Sequence, residues 1–244
     1  MQTVARTPEK LRKMLAEKHS ITEAQMNSHL NIVQGNAKDI VPVKQALAPN
    51  GVIASIVVSG LGGSAQFQAS LTKPLILNDT QICSESSAVL LQALRELRQA
   101  GAIGAGKPAP FVCVISTTGT QKQPRDVPLA YYQLYHYALQ VPHADKRAME
   151  LALAHASTEG ADAAPIRAFA VVRPTLLFDG PSKGLAKVRA GWVVHPEAVN
   201  AADKAAPGPA IGHSIRRVDV GAWMFANLIK SPEDWANKCI SLTY

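Results

Sequence analysis

The residues best suited to proton transfer lie in two short stretches of the chain. His143 and Lys146 are three positions apart in a segment predicted to be helical, so their side chains share one helix face. An imidazole titrates near neutrality and suits a proton donor, although His143 is also explained as a helix-start residue without a catalytic role. Ser116, Thr117 and Thr118 form a hydroxyl cluster after an apolar run, where ordinary turn chemistry accounts for them equally well.

Several other kinds of catalytic site are excluded by the sequence. It contains no GxSxG turn of a serine hydrolase and no Walker loop. Its cysteines, Cys83, Cys113 and Cys239, lie far apart and have no partner at metal-ligand spacing, so we predict neither a metal site nor a disulfide framework. Cys113 and Cys239 lie within apolar runs, which favours buried packing residues over nucleophiles.

The net charge favours anionic partners without specifying one. The 244 residues include 25 Lys and Arg against 18 Asp and Glu, a formal net charge of +7. A nucleotide phosphate suits this charge as well as a nucleic acid does, but the basic residues are scattered and form no stripe interleaved with aromatics. We therefore expect a solvated surface and no nucleic-acid binding. No apolar stretch approaches the roughly 20 residues that span a bilayer, and no apolar signal region follows the first charges, so we expect no membrane partner and a cytoplasmic setting.

Three wholly apolar runs define the predicted sheet. Residues 52–58, 111–115 and 166–172 are too apolar to have a wet face, which is typical of buried parallel strands. Helical segments separate them, so we predict an α/β fold of Rossmann-like, doubly wound type with ligands beyond the carboxyl ends of the strands. We predict a single domain over residues 1–244, in which residues 175–213 and the C-terminal helix form a small substrate-covering region.

The remaining predicted elements complete this alternation. Predicted helices cover residues 8–18, 39–47, 82–100, 128–140, 143–158 and 218–229. Short predicted strands cover residues 30–33 and 239–244, and residues 192–194 form a short apolar run within a stretch rich in Gly, Pro and Ala.

A series of short motifs spread over residues 4–244 resembles the atypical short-chain dehydrogenase/reductase superfamily. The similarity is greatest to its NAD(P)H-binding, NmrA-like branch and to the fungal members of that branch. Each motif is weak alone, and their common order makes the resemblance specific. The motifs are 5–11 (ARTPEKL), 35–39 (GNAKD), 59–62 (SGLG), 116–119 (STTG), 143–146 (HADK), 172–175 (VRPT) and 215–220 (IRRVDV).

The sequence departs from this family at its start. The family opens with a strand and a GxxGxxG turn that hold the cofactor pyrophosphate, whereas this chain begins at the family's second strand. The absent strand lies between the second and fourth strands of the family's sheet. Either the chain is a shortened form with an uncovered strand edge, or those two strands pair directly. We therefore predict that residues 1–35 are the least secure part of the fold, and that the cofactor site is half-built.

The resemblance implies a set of cofactor contacts. Arg6 follows the second family strand, where a guanidinium can grip a 2′-phosphate with two hydrogen bonds and so favour NADP, although a surface arginine fits there too. Asp39 in the adenine loop is equally explained as a helix N-cap, and Arg173 as a structural ion pair. The implied cofactor-binding residues are Arg6, Asn36, Asp39, Ser59, Gly60, Lys146 and Arg173.

The resemblance also implies catalytic roles. In the family, the lysine matched by Lys146 contacts the nicotinamide ribose and lowers the pKa of a tyrosine four residues earlier. Pro142 occupies that tyrosine position, so His143 or Ser116 is left to act on the substrate oxygen. Glu150, four residues beyond Lys146, is predicted to form a simple exposed pair with it. The nearby tyrosines predicted to pack or to line a cleft are Tyr131, Tyr132, Tyr135 and Tyr137.

The function implied by the resemblance is that of an NADP-dependent oxidoreductase. Such an enzyme would move a hydride between nicotinamide and a small organic carbonyl or enone. The missing glycine-rich turn and Pro142 favour two alternatives on the same fold. One is a non-catalytic, dinucleotide-sensing regulator, and the other is a cofactor-independent isomerase or cyclase.

Overall fold

In a computed structural model, the described residues are 1–63, 65–67, 75–103, 106–121, 124–129, 139–160, 163–198 and 206–244. The strands are β1 (Gln2–Ala5), β2 (Asn31–Gln34), β3 (Ile56–Ser59), β4 (Ala65–Phe67), β5 (Leu75–Leu77), β6 (Phe111–Ile115), β7 (Ala168–Pro174), β8 (Leu176–Phe178), β9 (Arg189–Val194), β10 (Ser214–Arg216) and β11 (Lys238–Thr243). The α-helices are α1 (Pro8–His19), α2 (Glu23–His29), α3 (Ile40–Leu47), α4 (Ile82–Gln99), α5 (Gln140–Thr158) and α6 (Arg217–Met224), the last continuing as a π-helical turn over Phe225–Ile229.

The main sheet has five strands in the order β3-β6-β7-β11-β9. The first four strands are parallel, and β9 runs antiparallel to β11. The prediction that the three apolar runs form neighbouring parallel strands is confirmed. The first of them begins at Ile56 rather than at residue 52, because Val52 is 70% exposed and the Ala54 amide donates back to the Leu47 carbonyl.

Side chains alternate between two apolar layers, one on each face of this sheet. Val112 and Val114 of β6 pack on the face covered by α3, α4 and α5, whereas Phe111 and Cys113 pack with α6 on the other face. This alternation follows from the period of two along a strand. Helices on both faces confirm the predicted doubly wound, Rossmann-like fold.

All three cysteines are buried, as predicted for Cys113 and Cys239. Burial raises the pKa of both these thiols to about 12. They are therefore protonated packing residues at neutral pH.

Strands β1 and β2 form a separate parallel pair, with Gln2 opposite Asn31 and Ala5 opposite Gln34. The alternative in which the second and fourth family strands pair directly is wrong for the described residues, because β1 and β3 belong to different sheets. Helix α3 packs against β1 instead, and Val58 in β3 remains 48% exposed. The edges of β1 and β3 that face away from their partner strands are thus unpaired within the described chain.

The N-terminal segment is thinly packed. Between residues 1 and 35, Met26 is the one fully buried hydrophobic side chain, and α1 buries none. Thr7 holds the N-cap position of α1 but makes no side-chain capping hydrogen bond. The lower security predicted for this segment remains a prediction that unfolding measurements can test.

The predicted substrate-covering region, 175–213, divides between two sheets. Strand β8 follows β7 directly and pairs in parallel with β10, forming a small second sheet. Strand β9 joins the main sheet instead, because it pairs along β11 from Lys238 to Thr243. None of the described helices is long and apolar enough to cross a membrane.

Candidate functional site

Lys146 occupies the carboxyl edge of the main sheet. It lies on α5, and its ammonium donates hydrogen bonds to the carbonyls of Leu61 (3.0 Å), just beyond β3, and Ile115 (2.6 Å), at the end of β6. An ammonium has three donors, and among the residues that the structure describes these two carbonyls take two of them, so one donor can serve a ligand. The side chain is partly buried, and its two carbonyl partners fix the charge where Rossmann-type sheets bind ligands.

A buried ion pair lies beside this lysine. Arg173 on β7 donates from Nε and Nη2 to the two oxygens of Glu150, at 3.2 Å and 2.5 Å. The prediction of an exposed pair between Glu150 and Lys146 is wrong, because this face of α5 packs onto the sheet, where the Arg173 fork meets the carboxylate. Burial acts to lower the pKa of Arg173, but the Glu150 charge outweighs it and keeps the guanidinium protonated.

Ser116 belongs to the same cluster. Its hydroxyl, at the end of β6, donates to Glu150 Oε1 at 2.5 Å, and the residue is buried. Arg173 also donates from Nη1 to Gln121 in the following loop. The structure thus brings Ser116 and Arg173 together through Glu150. Sequence analysis missed this link, since helical spacing pointed Glu150 toward Lys146.

Asp126 is a buried carboxyl that sequence analysis did not identify. Its Oδ1 accepts the Gly119 amide at 3.0 Å, while Oδ2 has no hydrogen-bond partner in the described part of the chain. Burial raises the pKa of Asp126 to about 6. No local signal marks it, because an aspartate in a loop of turn-forming residues is unremarkable until tertiary packing encloses it.

His143 lies on the first turn of α5 and is only 2% exposed. Its backbone amide donates to the Leu139 carbonyl. The role of His143 as a proton donor remains a prediction. The tyrosines predicted to pack nearby, from Tyr131 to Tyr137, lie outside the described residues.

The other predicted cofactor residues follow the carboxyl ends of three strands. Arg6 follows β1 and is exposed, and Ser59 and Gly60 close β3. Asn36 follows β2 and accepts the Lys38 amide through its side-chain oxygen. Asp39 holds the N-cap position of α3 without a side-chain capping bond. These residues share one edge of the fold, although β1 and β2 stand apart from the main sheet.

Acidic groups lie near this edge as well. Lys38 pairs with Asp79 and Glu85, each at 2.6 Å. The Lys38 hydrogen bond lowers the pKa of Asp79, and the Arg6 charge adds a smaller effect in the same direction. Arg6 therefore has a carboxylate within electrostatic reach, with which an incoming phosphate must compete.

A doubly wound, mostly parallel sheet is the Rossmann type of fold, and Lys146 lies at the carboxyl edge where ligands bind in such folds. No family model matches the sequence. The chain is 36% identical to Reductase pytE of Aspergillus terreus over 249 residues, covering 99% of this chain and 87% of the relative. It is 30% identical to Oxidase pynE of Aspergillus niger over 268 residues, covering 98% and 88%.

Solved structures share the fold at low sequence identity. The yeast methylglyoxal/isovaleraldehyde reductase Gre2, solved with NADPH, matches with a TM-score of 0.55 at 13% identity, over 98% of this chain and 69% of that one. A protein from Lactobacillus casei matches with a TM-score of 0.55 at 12% identity, over 99% and 86%. The chain belongs to the short-chain dehydrogenase/reductase superfamily, as its NmrA-like motifs indicated.

Proposed function

We propose that this protein is an NADPH-dependent reductase of a small organic carbonyl or enone. The observation that carries the proposal is the Lys146 ammonium, which two strand-end carbonyls hold in place with one donor left over. The names of its relatives pytE and pynE, a reductase and an oxidase, support redox chemistry.

The residues present fit the ribose and phosphate ends of a dinucleotide. The third donor of Lys146 suits a ribose hydroxyl, and the exposed guanidinium of Arg6 suits a 2′-phosphate. The glycine-rich turn for the pyrophosphate is absent from the sequence. The N-terminus of α4 cannot replace it, because Asp145 already accepts the Cys83 and Ser84 amides there. NADPH, when bound, supplies a hydride.

The chain's own task is then to hold the substrate and to deliver a proton to its oxygen. Ser116 is the hydroxyl at the sheet edge, and it now donates to Glu150. To act on a substrate it must turn that proton toward the substrate oxygen, while Arg173 continues to neutralise Glu150. A serine hydroxyl is too weak an acid to give up its proton beside this carboxylate, so Ser116 supplies a hydrogen bond and His143 supplies the transferred proton.

The test is a fluorescence titration of the purified chain with NADPH, followed by NADPH oxidation assays with a panel of aldehydes, ketones and enones. Lys146→Met should weaken NADPH binding at least tenfold, on the scale of a charge-assisted hydrogen bond. Lys10→Met, at an exposed lysine on α1, is the matched control and should change nothing. Ser116→Ala should lower kcat without weakening NADPH binding. No binding at millimolar NADPH would overturn the proposal.

A sensor is the second candidate, and Pro142 favours it. The position one turn before Lys146 cannot supply a phenol, and the Ser116 hydroxyl is already engaged with Glu150. NADPH binding without turnover across the substrate panel would favour the sensor. Substrate conversion by cofactor-stripped protein would instead favour an isomerase or cyclase.

A further inference from the structure

A second concave site lies between the small sheet and the C-terminus of the chain. It is a pocket of about 250 Å³, smaller than the roughly 300–1,000 Å³ that encloses a whole drug-sized ligand. It therefore suits one end of a molecule. Its lining residues are Phe178, Lys183, Ser214, Ile215, Arg216 and Tyr244.

Two cations line this pocket without a carboxylate partner. In the part of the chain that the structure describes, neither Lys183 nor Arg216 lies within 4.0 Å of an acidic oxygen. Among the described residues, Arg216 donates one side-chain hydrogen bond, from Nη1 to the Asp179 carbonyl at 2.5 Å, which leaves four of its five N–H donors for other acceptors. Lys183 holds its ammonium 4.3 Å from the centroid of the Tyr244 ring.

The two nearby carboxylates are already occupied. Asp219 is fully buried and accepts hydrogen bonds from the Ser182 hydroxyl, the Lys183 amide and the Tyr244 hydroxyl. Asp179 pairs with Arg217 at 2.9 Å and with Lys18 at 3.8 Å. The three donors to Asp219 are neutral, so its carboxylate keeps its charge and offsets one of the two pocket cations. Since Asp179 is paired with Arg217 and Lys18, one positive charge remains at the pocket, and it favours an anionic ligand.

Two aromatic rings give the pocket an apolar side. Tyr244 is fixed from both directions, because its hydroxyl donates to Asp219 and accepts the Arg216 amide at 3.1 Å. Phe178 ends β8 and is 46% exposed, so its ring is available to a ligand in the pocket. A ligand with an apolar group next to its charge would cover that ring.

We propose that this pocket binds the carboxylate of a small organic acid. Arg216 meets the carboxylate as a planar fork and Lys183 as a point charge, while Phe178 and Tyr244 flank the adjoining apolar group. The pocket lies beyond the same end of the sheet as Ser116, because β8 continues from β7. Phe178 is five positions after Arg173, which is at most about 17 Å of extended chain. Resting on the proposed reductase function, the acid is the substrate itself, a carbonyl compound that carries a carboxylate.

Binding is tested on the whole chain without cofactor, by isothermal titration with benzoate as the probe. We expect benzoate to bind, and Lys183→Met and Arg216→Gln each to weaken it roughly tenfold, the scale of one charge-assisted hydrogen bond. Phe178→Ala should weaken benzoate as well. Lys187→Met removes an exposed charge four residues from Lys183, outside the pocket, and should have no effect. Melting curves show whether each variant is folded. If Arg216→Gln does not fold, Arg216→Lys replaces it, because lysine retains the charge but lacks the planar fork.

Two further probes, one neutral and one inorganic, separate the contribution of the charge from that of the ring. Benzyl alcohol has the same ring without the charge, and inorganic phosphate has the charge without a ring. Equal binding of benzyl alcohol and benzoate, or unchanged benzoate affinity in both Lys183→Met and Arg216→Gln, overturns the proposal. If the protein binds phosphate more tightly than benzoate, and Phe178→Ala does not change the phosphate affinity, the ligand is not an organic acid and the proposal is overturned.

The substrate role is separated from the reductase function by a second measurement. Oxo acids and their methyl esters are compared as substrates for NADPH oxidation, and the acids should have at least a tenfold lower KM. Benzoate binding without NADPH binding would refute the proposed reductase function and would still support the proposed carboxylate-binding pocket. Turnover with equal KM for acid and ester would retain the reductase and overturn the substrate role of the pocket.

Discussion

Glu150 and Arg173 form a buried ion pair, 2.5 Å between Oε2 and Nη2, that joins helix α5 to strand β7. Their side chains are 3% and 6% exposed. The same carboxylate accepts the Ser116 hydroxyl, so one acidic group holds both a strand-end hydroxyl and a strand-end guanidinium. Lys146, one helical turn earlier on α5, is positioned by the same packing.

Removing one member of this pair should be costly. Glu150→Gln leaves the Arg173 charge buried and should lower the free energy of unfolding by about 3–5 kcal/mol, measured by urea denaturation. An apolar double variant, Glu150→Leu with Arg173→Met, should recover much of that loss. A loss below about 1 kcal/mol, the scale of an exposed pair, would contradict the buried geometry.

Asp126 should make stability depend on pH. Its pKa is raised to about 6 from an ordinary value of 3.8, so the native state holds the proton more tightly than the unfolded state. Stability from this group is present below about pH 4 and is lost as the pH rises through 6. Between pH 4 and pH 7 the wild type should lose about 2 kcal/mol relative to Asp126→Asn, whose side-chain oxygen still accepts the Gly119 amide. Parallel pH profiles of the two proteins would rule this out.

Asp145 should hold the start of α4. It is buried on α5 and accepts the amides of Cys83 (2.9 Å) and Ser84 (2.8 Å) and the Ser84 hydroxyl. Asp145→Ala should cost about 2 kcal/mol and speed amide exchange in the first turn of α4, because those donors lose their acceptor. Burial acts to raise the pKa of Asp145, yet these hydrogen bonds outweigh it and lower the pKa. The contribution should therefore be present at neutral pH and fade as the pH falls below about 4.

Arg6 should select between the two nicotinamide cofactors. Arg6→Gln should weaken NADPH binding roughly tenfold by removing a charge-assisted bond to the 2′-phosphate. NADH binding should be unchanged, because NADH lacks that phosphate. Lys10→Gln, another exposed cation nearby in the sequence, serves as the control. Equal weakening of both cofactors would show that Arg6 acts on something other than the phosphate.

The open edges of β1 and β3 should accept a strand. Adding a strand, a glycine-rich turn and a helix ahead of Met1 should raise the melting temperature and strengthen NADPH binding at least tenfold, because the helix start offers free amides to the pyrophosphate. It should also reduce aggregation, which unpaired edges promote. A flexible Gly/Ser extension of equal length is the control. Equal melting temperature and equal NADPH affinity in both extended forms would refute the role assigned to this gap.

The sequence by itself determined that three apolar runs form neighbouring parallel strands in the main sheet. The runs that became β3, β6 and β7 are wholly apolar, and such runs between helical segments are compatible with few arrangements other than buried parallel strands. The same composition predicted the burial of Cys113 and Cys239. Short motifs in a fixed order identified the superfamily, since they depend on local turns and strand ends.

Tertiary structure decided which polar groups meet. Helical spacing predicted that Glu150 pairs with Lys146. In the structure α5 packs on the sheet, and Glu150 forms its ion pair with Arg173, 23 residues away. The pocket brings Phe178 and Lys183 to Arg216 and Tyr244 from distant parts of the chain. Strand and helix periods specify only which face a side chain occupies. The partner on the other side depends on how elements far apart in sequence pack, and no local pattern records that choice.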